Sequence, residues 1–315
     1  MEAVGSRAEP KPGTETTERF AVGAALVDGE IVSIGEARVP ITDMGFSRSD
    51  VTYDVVAVWG GAFFRLDDHI ERFRRSCERL RLDPGVNDEG LRDKLIEIVA
   101  TTRLRDAYVD VICTRGVPEQ GTRDPRRVQN RLYAYAIPYV WVLPWEERDS
   151  GMDVIIARKV ERISPTAVDP TVKNFHWGDL TQGLYEAYDR GARFPVLLDS
   201  HGHVTEGPGY NVFALVDGIL LTPATGVLEG ITRRTVIELA REQGIDVRET
   251  VVDVATFRRG TELFATSTAG GVMAITSLDG RPIGDGTVGT LTRRIRDHYW
   301  AAHADPRYTT PITYA

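Results

Sequence analysis

Apolar and polar positions recur along the chain with two periods, and the change from one period to the other marks most of the elements. Residues 21–27 and 30–34 are short apolar runs divided by Asp28-Gly29. Asp-Gly between two such runs predicts a tight hairpin, because both residues tolerate positive φ. Residues 51–59 form a longer apolar run, closed by Gly60-Gly61 before 62–64. From Leu66 the period becomes helical. Ile70, Phe73, Cys77 and Leu80 fall on one face, with Asp67 or Asp68 as the expected cap. A second helix is predicted over about 88–104, burying Leu91, Leu95, Ile98 and Val99. Strands are expected at 107–113 and 132–137, on either side of an arginine-rich loop, 115–131.

Residues 138–151 mix two prolines with aromatics and then turn polar, which reads as a domain boundary. Beyond it, 152–160 begins a second run of strands. A helix over 177–190 should end at Gly191, a left-handed cap position. Hairpins are expected across 200–203 and across Asp217-Gly218. A helix opens at Gly230-Ile-Thr-Arg233 and runs through Glu242, a strand covers 263–266, and a last helix spans 288–302. Hairpins mixed with helices, without regular βαβ alternation, predict an α+β fold. The expected division is a tail or arm over 1–19, a small domain over 20–137, a linker over 138–150 and a larger domain over 151–315. The tail is assigned on its wealth of Glu, Thr, Pro and Gly.

Composition narrows the class. At 42% hydrophobic and 27% charged, the chain has the balance of a globular protein with a substantial core. A net charge of -8 argues against nucleic acid as a partner. Cys77 and Cys113 make no disulfide framework and offer no metal-ligand spacing, so no metal is expected. No apolar stretch reaches about 18 residues, so no membrane span is expected. With no signal-peptide pattern at the N-terminus, a cytoplasmic enzyme is the expectation.

The chemistry centres on Asp169-Pro-Thr-Val-Lys173-Asn-Phe-His-Trp-Gly178. Only four of the 38 basic side chains are lysines: Lys11, Lys94, Lys159 and Lys173. Three have polar or charged neighbours. Lys173 alone sits among apolar and aromatic residues with no acid beside it. A desolvated lysine can act as a nucleophilic amine, although a lysine that snorkels to water has the same local sequence. Three further stretches bear on it. Thr205-Glu206-Gly207 puts a carboxylate at a strand end, beside a glycine that allows close approach of a flat ligand. Leu228-Glu-Gly230-Ile231-Thr232-Arg233 runs a glycine into a helix N-terminus, where free N–H groups and the helix dipole favour phosphate. Thr266-Ser267-Thr268-Ala269-Gly270-Gly271 supplies hydroxyls on a turn. Each alone also fits a structural role. Together they meet the needs of pyridoxal phosphate: a lysine for the Schiff base, an acid at the pyridine nitrogen and a phosphate cup.

The order His69-Ile-Glu-Arg72, Val172-Lys173-Asn174, Thr205-Glu206-Gly207, Gly230-Ile-Thr-Arg233 and Thr266-Ser-Thr268-Ala-Gly270 resembles the fold type IV pyridoxal-phosphate enzymes. These include branched-chain and D-amino-acid aminotransferases and aminodeoxychorismate lyases. The resemblance runs from about Ala21 to the C-terminus. Ser49-Asp-Val-Thr-Tyr-Asp-Val55, Phe63-Phe-Arg-Leu-Asp-Asp-His69, Pro138-Tyr-Val-Trp141 and Trp177-Gly-Asp-Leu180 look closest to the (R)-selective amine transaminases.

That resemblance implies a small N-terminal α/β sandwich, a larger C-terminal pseudo-barrel, and a homodimer whose partner chain completes the site. It implies that Lys173 binds the cofactor and moves the substrate proton. Glu206 would pair with the pyridine nitrogen. Arg72, the Ile231 and Thr232 backbone and the Thr268 hydroxyl would hold phosphate, and Leu228 would pack on the ring. Tyr53, Val55, Tyr108, Trp177 and Ala269 would line the substrate pocket. There are two departures. Arg48 stands where several close relatives have a histidine shortly before Ser49, and the loop 116–129 differs in length and charge. Related amine transaminases use a loop arginine for the acceptor carboxylate. Arg123 is the nearest match, with Arg126, Arg127 and Arg48 as alternatives. The implied activity is transfer of an amino group from an (R)-amine or D-amino acid to a 2-oxo acid such as pyruvate, ping-pong through pyridoxamine phosphate. The rivals are a branched-chain or D-amino-acid aminotransferase, a lyase of the aminodeoxychorismate type and a non-catalytic binding protein.

Overall fold

The computed structural model describes residues 19–314, so the predicted N-terminal tail lies almost wholly outside the described residues. The hairpin signals act as turn chemistry requires. Asp28 and Gly29 take φ of 52° and 86° between Ala24–Val27 (β1) and Glu30–Ser33 (β2). Asp217 and Gly218, at 50° and 80°, join Tyr210–Val216 (β10) to Ile219–Pro223 (β11). Such paired positive φ values match the twist of the flanking strands.

The first half of the chain supplies six strands of a seven-stranded sheet. Val51–Trp59 (β3) lies inside it, between Ala62–Phe64 (β4) and Ala107–Thr114 (β5), with Arg131–Pro138 (β6) beyond β5. Two helices, Leu66–Leu80 (α2) and Asp88–Thr102 (α3), bury Phe73, Leu91, Leu95 and Ile98 against one face. The strand period of two then assigns sides. Val56 and Val58 face the helices. Tyr53 and Val55 point the other way, and Tyr108 joins them on β5 because it stands opposite Ala57. A short helix, Met44–Arg48 (α1), precedes β3 and is capped by the buried Asp43. The α2 start departs from expectation. Its cap position is Arg65, with φ of 55° and no side-chain cap, and Asp67 and Asp68 lie in the first turn, where negative charge suits the helix dipole.

The second half builds a nine-stranded sheet containing Met152–Glu161 (β7), Phe194–Leu198 (β8), Glu206–Gly207 (β9), β10, β11, Val247–Thr250 (β12), Glu262–Ser267 (β13), Gly271–Leu278 (β14) and Arg281–Pro282 (β15). Most pairs are antiparallel. Gly178–Asp189 (α4) carries the chain from β7 to the parallel β8, and Ile231–Glu242 (α5) from β11 to the parallel β12. The class is α+β as expected, with these two βαβ units as an addition. Val204 N–H donates to the Val252 carbonyl at 2.8 Å, which links the segment leaving β8 to the one leaving β12 and draws the sheet edges together. Val254–Arg258 (α6) follows that join. Thr290–Ala301 (α7) and α5 cover the sheet through Ile237, Leu239 and Ile295. No helix among the described residues is long and apolar enough to cross a membrane.

The last strand departs from the division drawn at residue 151. Thr309–Pro311 (β16) crosses back and pairs with β4 at the edge of the first sheet. Ile312 is buried in the first core, and the Tyr314 hydroxyl donates to the Leu104 carbonyl at 2.7 Å. Removing residues 309–315 should therefore destabilise the first half. Burial of one isoleucine is worth roughly 1.5–3 kcal/mol. The urea midpoint should fall accordingly, and an unchanged midpoint would show that this strand contributes nothing.

Candidate active site

Lys173 lies in the loop between β7 and α4, and the strand β3 fixes its place. Its carbonyl accepts from Thr52 Oγ1 at 2.7 Å and from the Tyr53 N–H at 3.2 Å. Asn174 bridges Thr52 as a one-residue antiparallel pair. Arg79 of α2 holds the loop from outside, pairing with Asp169 and donating to Thr171 Oγ1 at 2.5 Å. The lysine chain is thereby directed across Tyr53. Its Nζ stands 4.2 Å from the ring centroid and 3.2 Å from the hydroxyl. It opens into a cleft of about 230 Å³ between the two sheets.

Glu206 forms the opposite wall. It is buried at the start of β9 and carries three supports: Arg162 Nε at 3.1 Å, the Leu228 N–H at 3.0 Å and Asn211 Nδ2 at 3.4 Å. Arg162 is shared with Asp179 of α4 at 2.6 Å. Burial raises the Glu206 pKa above the ordinary carboxylate value, although Arg162, the Leu228 N–H and the charge of Lys173 pull it down. A carboxyl held in that balance has room for one more positive partner.

The third element is the N-terminus of α5. Its first residue follows Gly230, and no side chain caps it. A Cβ on Gly230 would lie 2.2 Å from Asn211 Oδ1, so only glycine lets the helix start against β10. Arg72 reaches this end of the helix, donating to the Glu229 carbonyl at 3.1 Å. Its guanidinium is held on Asp54 by two bonds of 2.7 and 2.8 Å, and His69 Nδ1 completes Asp54 at 2.8 Å. All three side chains are buried. Burial alone would raise the Asp54 pKa, but Arg72 and His69 outweigh it and hold the carboxylate well below its usual range; burial lowers that of His69. The Thr268 turn is set by the interdomain segment: Tyr139 donates to the Thr268 carbonyl at 2.5 Å and the Val142 N–H to the Ala269 carbonyl at 2.7 Å.

Lys173, Arg72, Glu206, Leu228, Ile231, Thr232 and Thr268 thus share one cleft with Tyr53, Val55, Tyr108, Trp177 and Ala269. The two departures do not. Arg48, at the end of α1, and Arg123 are both exposed to solvent and line no part of it. The alternatives are engaged in the same loop, Arg126 with Asp124 and Arg127 with Glu119. Asp54, Arg162, Asp179 and Asn211 were not expected. Asp54 alone carried a usable signal, as an acid inside an apolar strand, which must find a buried partner.

A family model described as amino-transferase class IV matches residues 52–278. The chain is a class IV aminotransferase. It is 31% identical over 276 residues to a protein of Methanocaldococcus jannaschii provisionally named a branched-chain-amino-acid aminotransferase, covering 87% of this chain and 94% of the relative. It is 28% identical over 273 residues to a D-alanine aminotransferase of Bacillus licheniformis, covering 86% and 94%. A solved branched-chain amino acid aminotransferase from Thermobaculum terrenum, in its PLP-bound holo form, superposes with a TM-score of 0.83 at 26% identity over 94% of this chain and 99% of that one.

Class IV aminotransferases are pyridoxal-phosphate-dependent transferases. The residues of this aminotransferase fit that group. An uncapped helix N-terminus beside a buried arginine suits a phosphate. A buried acid of raised pKa suits a cationic ring nitrogen. Thr266, whose buried hydroxyl has no partner among the described residues, also lines the cleft.

Three substitutions test the frame. Arg72→Ala should weaken cofactor retention about ten- to a hundredfold, because a charge-assisted contact is worth roughly 1.5–3 kcal/mol. Asp54→Asn should weaken it too, although Asp54 touches no part of the cleft, because Arg72 loses its anchor. Cofactor absorbance after gel filtration reads both, and full retention in either variant contradicts the assignment. Glu206→Gln should keep the cofactor and lose turnover, since a neutral amide cannot hold the ring nitrogen protonated. Near wild-type turnover would assign that task to another group.

Proposed function

We propose that this enzyme moves the amino group of an (R)-amine, or of a D-amino acid, to a 2-oxo acid such as pyruvate. One observation carries the reading. The two arginines on the cleft wall are already committed, Arg72 to Asp54 and Arg162 to Asp179 and Glu206. Around Lys173 the wall is apolar or phenolic, with Val55, Val140, Val172, Tyr53 and Tyr108. A donor substituent without negative charge suits that surface. A fixed carboxylate there would lack a counter-ion, which is costly in a buried site.

The bound cofactor supplies an electron sink for the charge left on the substrate carbon. This chain's residues do the rest. Lys173 would hold the cofactor and would move the proton at that carbon, from a position steadied by the Tyr53 hydroxyl. Glu206 would hold the ring nitrogen protonated, and Arg162 with the Leu228 N–H favours the ionised form which that task needs. Arg72, the α5 N-terminus and the Thr268 hydroxyl would hold the phosphate, and Leu228 would pack on the ring.

The acceptor brings a carboxylate, and the loop 116–129 supplies its partner. The loop's base is clamped by Arg115 on Asp50 and by the Met44 N–H on the Gly116 carbonyl at 2.9 Å. Gly116 and Gly121 take φ of 92° and 80°. Beside this base lie Ile41 and Phe46, 77% and 69% exposed. A second copy of the chain covers them in our reading, in a cytoplasmic homodimer, and there Arg123 of one protomer serves a cleft. An arginine on a mobile loop pairs with the acceptor and withdraws for the donor, which a buried arginine cannot do.

The names of the relatives favour a second reading, an amino-acid aminotransferase that needs a carboxylate on both substrates. A panel of chiral amines and of branched-chain and D-amino acids against pyruvate separates the two. Turnover of a simple (R)-amine is expected, and its absence beside good amino-acid activity overturns the first reading. Arg123→Ala should slow the half-reaction with pyruvate about ten- to a hundredfold and spare the half-reaction with the amine. Equal slowing of both, or of neither, in single-turnover measurements removes Arg123 from that role.

A further inference from the structure

One buried acid beside the cleft has no part in the chemistry described so far. Asp110 sits in the middle of β5, on the face that β5 turns toward the cleft. The register places it opposite Val55 on β3, and Tyr108 lies two residues before it on the same face. Both of those neighbours line the cleft. On the other flank Asp110 stands opposite Tyr135 of β6, whose hydroxyl donates to its Oδ2 at 3.1 Å. The residue is 4% exposed, and its second oxygen, Oδ1, is buried with no hydrogen-bond partner among the described residues.

An orphaned carboxylate oxygen is costly, and a native structure rarely keeps one without a use. Burial pushes the Asp110 pKa up to about 8, against the charge of Lys173 and the Tyr135 hydrogen bond, with Asp54 adding to the rise. The charge of the catalytic lysine therefore reaches this carboxyl, yet no cation among the described residues pairs with it. The aromatic neighbours cannot serve as counter-ions. Tyr108 and Tyr135 stay neutral phenols, since burial and the charge of Asp110 raise both their pKa values.

We propose that Asp110 is a specificity-determining residue whose free oxygen receives an N–H donor on the side group of the amino substrate, so that the enzyme favours donors bearing a second amino group. Near neutral pH burial keeps most of Asp110 protonated; an ammonium beside Oδ1 draws that proton off and gives the resulting carboxylate its missing partner, a charge-assisted hydrogen bond in a site shielded from water. A side-group carboxylate in the same place would meet a like charge above about pH 8, where Asp110 is ionised on its own. The inference rests on the reading of this cleft as the transaminase site, and it deepens that reading by naming the substrate side group.

Matched donors test it, with the cofactor-loaded enzyme and pyruvate at about pH 9, where Asp110 is ionised. The amine arm compares 1,4-diaminopentane with 2-aminopentane. The amino-acid arm compares ornithine with norvaline and with glutamate, each donor as both enantiomers. Wild type should show the higher kcat/KM for the diamino member of each pair and the lowest for glutamate. Asp110→Asn keeps the shape and a partner for Tyr135 but loses the charge, and should cut the diamino preference about tenfold or more. Asp110→Leu should abolish it and improve the apolar donor. Cofactor absorbance and melting temperature identify a misfolded variant, and Asp110→Asn alone suffices if the leucine variant fails to fold. No diamino preference in wild type, or the same preference in Asp110→Asn, overturns the proposal. The arms fail separately. Amino-acid turnover without amine turnover defeats the amine reading and leaves the Asp110 comparison legible in ornithine against norvaline.

Discussion

Two donors of β3 grip the carbonyl of Lys173, and the arrangement of the whole site follows from that joint. The Thr52 hydroxyl and the Tyr53 N–H fasten a loop of the second half of the chain onto an inner strand of the first sheet. A strand sends alternate residues to opposite sides. The same nine residues therefore perform three tasks. Tyr53 and Val55 face the cleft and bound the lysine, Asp54 faces α2 and anchors Arg72, and Val56 and Val58 fill the core that keeps the strand straight. A slip of one residue in register would exchange the cleft wall for the anchor.

The cleft is also a place where charge is buried, and burial is tolerated only because each charge is answered. Asp54, His69 and Arg72 form one closed group, and Glu206, Arg162 and Asp179 another. Breaking one partner from such a group leaves an uncompensated charge and costs about 3–5 kcal/mol. The first group aims a cation at the start of α5, and the second aims an anion across the floor of β9. Positive and negative ends thus stand apart, as a zwitterionic aromatic phosphate requires. The aromatic cluster of Trp59, Tyr139, Trp141 and Trp300 packs behind the 268–271 turn, and the Tyr299 and Trp300 rings leave no room for a Cβ on Gly271.

Much of this was legible in the residues. The Asp-Gly hairpins, the helical faces of α2 and α3 and the glycine after α4 are local signals, and local physics decides them. The ordered motifs placed Lys173, Glu206 and Gly230 together before any coordinates did. What escaped reading was non-local. Arg162 reads as one more charged residue after Lys159, because its partners Glu206 and Asp179 are brought to it only by the turn from β7 into α4. The strand at 309–311 is too short and polar to announce that it crosses to the other sheet. Arg65 takes the helix cap in a left-handed conformation because its guanidinium is held by Glu238 and Asp68, a tertiary override of the capping preference. Arg48, at the end of α1, and Arg123, on the loop 116–129, are exposed to solvent and line no part of the cleft of their own chain.

Every role assigned to the cleft depends on Lys173 as the residue that bonds the cofactor. Reduction of the loaded enzyme with borohydride, followed by proteolysis and mass spectrometry, tests that most directly. A single phosphopyridoxyl group is expected on the peptide containing Lys173, facing the Tyr53 hydroxyl. A label on Lys94 or Lys159, or none on any lysine of a fully loaded enzyme, would contradict it.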